Sequence, residues 1–186
     1  MKICTVSMLG AMASVLAIAQ AQAAETVIGG GAAESCYLAA ESNFRPSESI
    51  PICNFALISA LTVEDRAATL VNRGILKLAK MDAEGSYSDF NKGLAMRADM
   101  AEGYVDRGAS LIMMRRYQEA VENINKGIEM KAKKLQVAYY DRGMANEGLG
   151  NLQAAYEDYK QAETIDPYFA EPAQELKRFK VVVKPD

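Results

Sequence analysis

The chain has 186 residues, of which half are apolar and about a quarter are charged, the balance of an ordinary globular domain. Its formal net charge is −3, so no nucleic-acid-binding surface is expected, because phosphate binding needs clustered positive charge. The chain has no histidine, which removes the usual general base near neutral pH and the commonest metal ligand. Its carboxylates are dispersed along the sequence, so we expect no enzyme activity, no metal site and no cofactor.

Residues 1–23 have the pattern of a secretory signal. Lys2 supplies a positive start, residues 6–19 are apolar, and Ala21-Gln22-Ala23 gives the small-x-small pattern that precedes cleavage. The apolar stretch is short for a transmembrane helix, and no other long apolar span follows. A retained membrane anchor is the alternative. The sequence predicts an exported protein with no membrane span after cleavage, most simply periplasmic, with secretion as the alternative.

The next two segments are a linker and a weak helical hairpin. Residues 24–33 contain three glycines and are expected to form a flexible linker; no strand precedes them and no Gly-Lys-Ser/Thr follows, which excludes a phosphate loop. Residues 34–66 are expected to form a degenerate first helical hairpin. Cleavage leaves two cysteines, Cys36 and Cys53, which an oxidising compartment would join in a disulfide. Two buried free thiols are the alternative.

The phrase Asn/Asp-Arg-Gly then occurs three times. Its glycines, Gly74, Gly108 and Gly143, are 34 and 35 residues apart, and small and large residues recur at fixed helical offsets from each of them. A period of this length is typical of stacked helical hairpins, in which small residues let the helices approach closely. The sequence GLGN at 148–151 predicts the turn inside the last hairpin, with glycine in a left-handed conformation.

This pattern resembles the tetratricopeptide repeat, whose unit is an antiparallel helix pair. The resemblance covers three units, at 67–100, 101–134 and 135–168. Residues 169–183 continue in phase and are expected to form a C-terminal capping helix that covers the last open face. The expected fold is therefore all-α, a short right-handed solenoid of antiparallel helical hairpins with a capping helix.

The resemblance also implies a concave groove lined by the first helix of each unit. Its lining would be apolar with an acidic stripe, so a bound peptide is expected to be apolar or basic. Members that clamp a terminal carboxylate carry Lys and Asn where this chain has Val71, Ile75, Val105 and Ala109, so that mode is not expected. Packing against neighbouring helices is the alternative role for the lining. The candidate groove residues are Asn72, Ile75, Asp106, Ala109, Met113, Tyr140, Asp141, Met144 and Glu147.

The arginines of the repeated phrase, Arg73, Arg107 and Arg142, have two interpretations. They could form an anion-binding ladder, or each could bind within its own hairpin or to the neighbouring one. Asp89, Asn123 and Asp158 recur at one position of the second helix as possible partners. Because a packing glycine follows each arginine, the structural role is favoured. Carboxylates one repeat apart would lie about 10 Å from each other, which is wide for paired acid–base catalysis.

The sequence therefore predicts a non-enzymatic, exported module that mediates protein or peptide binding in the cell envelope. A self-associating structural element is one alternative. An accessory domain for envelope or peptidoglycan processing, using the groove carboxylates, is another.

Overall fold

The computed structural model describes residues 4–8, 24–27 and 31–183. Apart from 4–8, the predicted signal segment lies outside the described residues. The helices of the described part are α1 Ala32–Ser42, α2 Pro46–Ile58, α3 Val63–Ala79, α4 Ala83–Met96, α5 Ala101–Met113, α6 Tyr117–Glu129, α7 Leu135–Gly148, α8 Leu152–Ile165 and α9 Ala170–Leu176. Two strands, β1 Cys4–Met8 and β2 Phe179–Val183, form one antiparallel pair.

The helices form a stack of antiparallel hairpins. Within each hairpin α1 packs on α2, α3 on α4, α5 on α6 and α7 on α8, and each second helix contacts the first helix of the next hairpin. The first helices also contact one another along the stack, α1 with α3, α3 with α5 and α5 with α7. This arrangement confirms the predicted solenoid. None of the helices in the described residues has the length and apolarity that a bilayer crossing requires.

The glycines of the repeated phrase lie where the two helices of a hairpin touch. A Cβ placed on Gly74 would lie 2.6 Å from Cε1 of Phe90, and one placed on Gly143 would lie 2.7 Å from Cε1 of Tyr159. Contacts that short do not fit, so each glycine allows a large side chain of the second helix to pack directly on the backbone of the first. The interpretation of these glycines as packing positions is confirmed.

The turn inside each of the three repeated hairpins, α3–α4, α5–α6 and α7–α8, uses a left-handed residue at the same position. In the last hairpin this residue is Gly150, with φ of 79°, as the GLGN sequence predicts. In the two earlier hairpins the position is held by Met81 and Arg115, with φ of 63° and 57°. Left-handed backbone strains residues that carry a Cβ, so these two turns are less favourable than the third.

The first hairpin is closed by a covalent bond. Cys36 on α1 and Cys53 on α2 form a disulfide in the structure, with their Cα atoms 5.0 Å apart, and both side chains are fully buried. Because α2 contains Pro51 in its interior, its own helix signals are weak, and the bond fixes it against α1.

The C-terminal segment differs from the continuous capping helix expected over 169–183. The helix ends at Leu176, and the chain continues as β2, paired with β1. Three consecutive valines, 181–183, favour extended backbone over helix, which explains the early end. The last face of the stack is still covered, because the ring of Phe179 lies 5.8 Å from that of Tyr156 and 5.9 Å from that of Tyr159.

Candidate functional site: the concave groove

The most informative contact in the groove joins Asn72 of α3 to the backbone of Glu25. The Asn72 side chain is fully buried; its Nδ2 donates to the Glu25 carbonyl at 2.8 Å, and the Glu25 N–H donates to its Oδ1 at 2.9 Å. The N–H and C=O of one residue point to the same side only in extended backbone, so Asn72 binds this segment as a neighbouring strand would. Part of the predicted flexible linker is therefore held against α3, with Ala24 and Val27 buried.

The same position on α5 is Asp106, and its environment is unusual. Its side chain is 1% exposed, and neither carboxylate oxygen has a hydrogen-bond partner. Burial, together with the charge of Asp141 on α7, holds the pKa of Asp106 well above its usual range. Lys134 acts in the opposite direction but does not reverse the effect. The predicted acidic stripe is thus present as two buried carboxyl groups, of which Asp106 is held towards its neutral form.

The other predicted groove residues are divided between the core and the groove wall. Ile75 and Ala109 are buried in the clusters between helices. Tyr140 is also buried, with its ring centroid 5.6 Å from that of Tyr159, so these three residues pack between helices. Met113 and Met144 are half-buried against the same clusters, and they keep part of their side chains accessible.

Glu147, the last predicted groove residue, is engaged by the C-terminal segment. Its Oε1 accepts from Nη2 of Arg178 at 2.7 Å, and the hydroxyl of Tyr159 donates to its Oε2 at 3.2 Å. Burial and the nearby Glu147 charge raise the pKa of Tyr159, so this hydroxyl stays protonated and donates. Glu147 therefore ties α7 to the chain between α9 and β2.

The arginines of the repeated phrase connect neighbouring hairpins. Nε and Nη2 of Arg73 donate to the two carboxylate oxygens of Asp89 in its own hairpin, at 2.7 and 2.6 Å. Its Nη1 donates to the side-chain oxygen of Asn54 in the preceding hairpin, at 2.7 Å. A planar guanidinium suits this role because its donors point in fixed, separate directions. The structural interpretation of the arginines is confirmed for this unit.

The third unit repeats these contacts, and the second unit departs from them. Arg142 donates to Asp158 at 2.6 Å and to Asn125 of the preceding hairpin at 2.7 Å. Arg107 makes the corresponding bonds to two amide oxygens, Asn123 at 2.7 Å and Asn91 at 2.9 Å. The neutral Asn123 stands where the other two units have a carboxylate. Burial lowers the pKa of Arg107.

The sequence analysis did not identify the asparagines whose side-chain oxygens accept hydrogen bonds from these arginines. Asn91 and Asn125 are 34 residues apart and directly follow Phe90 and Ile124, which the repeat pattern already aligned. Their recurrence at the repeat period was the available signal. Among the described residues, no three cysteine or carboxylate side chains gather as metal ligands would.

Known proteins resemble this chain in its repeats and in its fold. A family model described as "Tetratricopeptide repeat" matches residues 137–169. The human protein named DnaJ homolog subfamily C member 7 is 26% identical over 118 residues, which are 63% of this chain and 24% of that protein. The chain therefore spans about a quarter of the length of this curated relative.

Two solved structures extend the comparison beyond a single repeat. MamA residues 41 to the end, from Desulfovibrio magneticus RS-1, has a TM-score of 0.64 at 21% identity, covering 79% of this chain and 82% of its own. The second tetratricopeptide domain of human RPAP3 was solved with the HSP70 peptide SGPTIEEVD. Its TM-score is 0.57 at 21% identity, and the match covers 62% of this chain and 96% of that domain. Identities this low show a shared fold alone. Together with the matched repeat, they show that this chain has the fold of tetratricopeptide-repeat domains and carries one repeat that the family model matches.

Proposed function

We propose that this protein is a non-enzymatic module that binds an extended polypeptide segment in its concave groove. The observation that carries the proposal is the two-way hydrogen bond between Asn72 and Glu25, in which a groove side chain pairs with extended backbone. Such pairing recognises the main chain and leaves specificity to the side chains beside it. The half-buried Met113 and Met144 supply adaptable apolar contacts further along the groove.

The charge of the groove favours an apolar or basic partner. Asp106 and Asp141 place two acidic groups along it. The resemblance puts the Lys and Asn of a carboxylate clamp where this chain has Val71, Ile75, Val105 and Ala109. The RPAP3 domain was solved with a peptide that ends in acidic residues, SGPTIEEVD. An acidic segment of that kind would meet repulsion in the present groove, and a basic one would meet attraction.

A pair of matched peptides tests both parts of the proposal. The intact chain would carry a photoreactive side chain at Met144, and a control version would carry it at Gln153, which is exposed on α8. The probes would be SGPTIEEVD and SGPTIKKVK, the second amidated at its C-terminus. We expect crosslinking of the basic peptide at position 144 and not at 153, with the acidic peptide reacting at neither. Stronger reaction of the acidic peptide would contradict the charge argument, and equal reaction at both positions would contradict the groove.

We also propose that the protein acts outside the cytoplasm, in the periplasm or as a secreted protein. Support comes from the signal pattern of residues 1–23 and from the geometry of Cys36 and Cys53, which suits a disulfide in an oxidising compartment. Fractionation of producing cells, followed by mass measurement of the intact chain, tests this. A chain that keeps residues 1–23 in the cytoplasm would contradict it.

Self-association is a second candidate, favoured by apolar side chains on the first hairpin. Phe44, Phe55 and Ile58 are 60%, 62% and 81% exposed at the end of the stack. Burial of this surface against a second copy would remove apolar area from water. Light scattering should then show a dimer that Phe55→Ser and Ile58→Ser together convert to monomer, and a monomeric unmodified chain would contradict this role.

A further inference from the structure

The segment Ala24–Val27 has a defined direction in the groove. Val27 belongs to a cluster with Ala33 and Ala56 of the first hairpin, whereas the Glu25 carboxyl interacts with the charges of Glu102, on α5, and of Lys133. Further upstream, β1 contacts α8 at the other end of the stack. Followed backwards from Val27, the chain therefore advances from the first hairpin towards the later ones.

The backbone nitrogen of Ala24 is therefore expected on the Asp106 side of Asn72. The two side chains occupy equivalent positions on α3 and α5, and packed helices lie about 10 Å apart. The Glu25 nitrogen is 2.9 Å from Oδ1 of Asn72, and the Ala24 nitrogen lies about 3.5 Å further along the chain. In the intact chain this nitrogen is an amide, and the oxygens of Asp106 accept no hydrogen bond.

We propose that Asp106 is the acceptor for the α-ammonium group of Ala24 once the chain has been cleaved after Ala23. The inference rests on the export proposed above. Hydrolysis of the Ala23–Ala24 bond adds the hydroxyl of water to the Ala23 carbonyl carbon and a proton to the Ala24 nitrogen. A second proton from solvent gives the ammonium group, whose three donors and free rotation let it reach the carboxylate that the amide does not.

The charges around Asp106 favour a cation at this position. The charges of Asp141, Glu25 and Glu102 act with burial to raise the pKa of Asp106, whereas the charge of Lys134 acts to lower it. Burial and Glu102 also raise the pKa of Glu25 itself. An ammonium group would offset this excess of negative charge, in the way that a paired charge stabilises a buried carboxylate. The processed end would be fixed in the Asn72 half of the groove, and the half near Met144 would remain for a partner.

The test is the titration of the new amino group in the exported protein. The chain would be produced with its own leader, and the mass of the mature form would first establish where it begins. Alanine labelled with ¹³C and ¹⁵N would be incorporated during production, and the resonances of Ala24 would be followed against pH to titrate its unmodified α-amine. The usual pKa of an α-amine is about 7.7–8.0, and we expect about 9 in the unmodified protein because of the opposed charge.

Matched variants separate this pairing from a general effect of the groove. Asp106→Asn should return the α-amine pKa to its ordinary value, while Asp141→Asn should change it by less than half as much. Asn72→Ala should also return it, because the backbone of Glu25 is then released. A mature chain that does not begin at Ala24, or a pKa that Asp106→Asn does not change, would overturn the inference. Either result leaves peptide crosslinking at Met144 as a separate measure of the proposed function.

Discussion

The second unit offers a direct measure of what a carboxylate contributes to the contacts between hairpins. Arg73 and Arg142 each bind a carboxylate of their own hairpin, whereas Arg107 binds the neutral Asn123 at the same position. The substitution Asn123→Asp would give Arg107 the partner that the other two arginines have. Because the contact also lies beside the preceding hairpin, we expect this substitution to stabilise the folded chain.

The expected gain is about 1 kcal/mol. A hydrogen bond to a charged group contributes about 1 kcal/mol more than a neutral one, and a carboxylate could accept a second bond, as Asp89 does from Arg73. Against this, the substitution removes the bond from Nδ2 of Asn123 to the carbonyl of Glu119, 2.7 Å long, and the half-exposed site screens the new charge pair. A net 1 kcal/mol corresponds to a rise in Tm of about 2–4 °C for a chain of this size.

Urea denaturation of the variant and of the unmodified chain measures the difference in unfolding free energy. The control is the same substitution in an Arg107→Gln chain. There, no guanidinium is present to pair with the new carboxylate, so no gain in unfolding free energy is expected. The introduced carboxyl should have a pKa below about 4 in the folded state, so its stabilisation is present above that pH and is lost as the pH falls through its folded pKa. An equal gain with and without Arg107 would refute the reasoning.

Three further predictions concern other parts of the structure. Serine at both Cys36 and Cys53 should lower the unfolding free energy by about 3 kcal/mol, because the bond closes a loop spanning 17 residues; reductant should then have no further effect on urea denaturation. The substitution Met81→Gly should raise the unfolding free energy by about 0.5–1 kcal/mol, because Met81 is half-exposed and has φ of 63°. A lower Tm would contradict this. The substitution Asp106→Asn should stabilise the intact chain at pH 7, because burial raises the pKa of Asp106 and makes its ionisation costly. That cost is absent below the unfolded pKa of about 4 and grows as the pH rises, so equal gains at pH 3.5 and pH 7 would contradict it.

The repeats could be predicted because their physical cause is local and periodic. Gly74, Gly108 and Gly143 each admit a large side chain from the second helix, and this requirement recurs wherever a hairpin closes. The same regularity located the partners of Arg73 and Arg142. The strand at the C-terminus could not be found in this way, because its pairing with Cys4–Met8 joins opposite ends of the sequence.

The sequence predicted which positions line the groove, but not the segment bound in it or the burial of each lining residue. The repeat pattern placed Asn72 and Asp106 on equivalent turns of α3 and α5, yet nothing in that pattern indicates that Glu25 lies against Asn72. This contact joins residues 47 positions apart and depends on a non-repetitive segment. Burial likewise could not be read from the pattern: Tyr140 proved to be a core residue, whereas Met144 keeps an accessible side chain.

The bond between Cys36 and Cys53 determines which end of the stack unfolds first. In a linear array each hairpin contacts only its neighbours, so unfolding starts at the ends. The amino-terminal end is closed covalently, whereas the carboxyl-terminal end is held by non-covalent contacts: the ring contacts of Phe179, the ion pair of Arg178 with Glu147 and the pairing of β2 with β1. Amide hydrogen exchange should therefore be fastest near α9 and should slow towards α3. The region around Asn72 would keep its shape longest, so the protein could retain a bound segment there while its far end opens and closes.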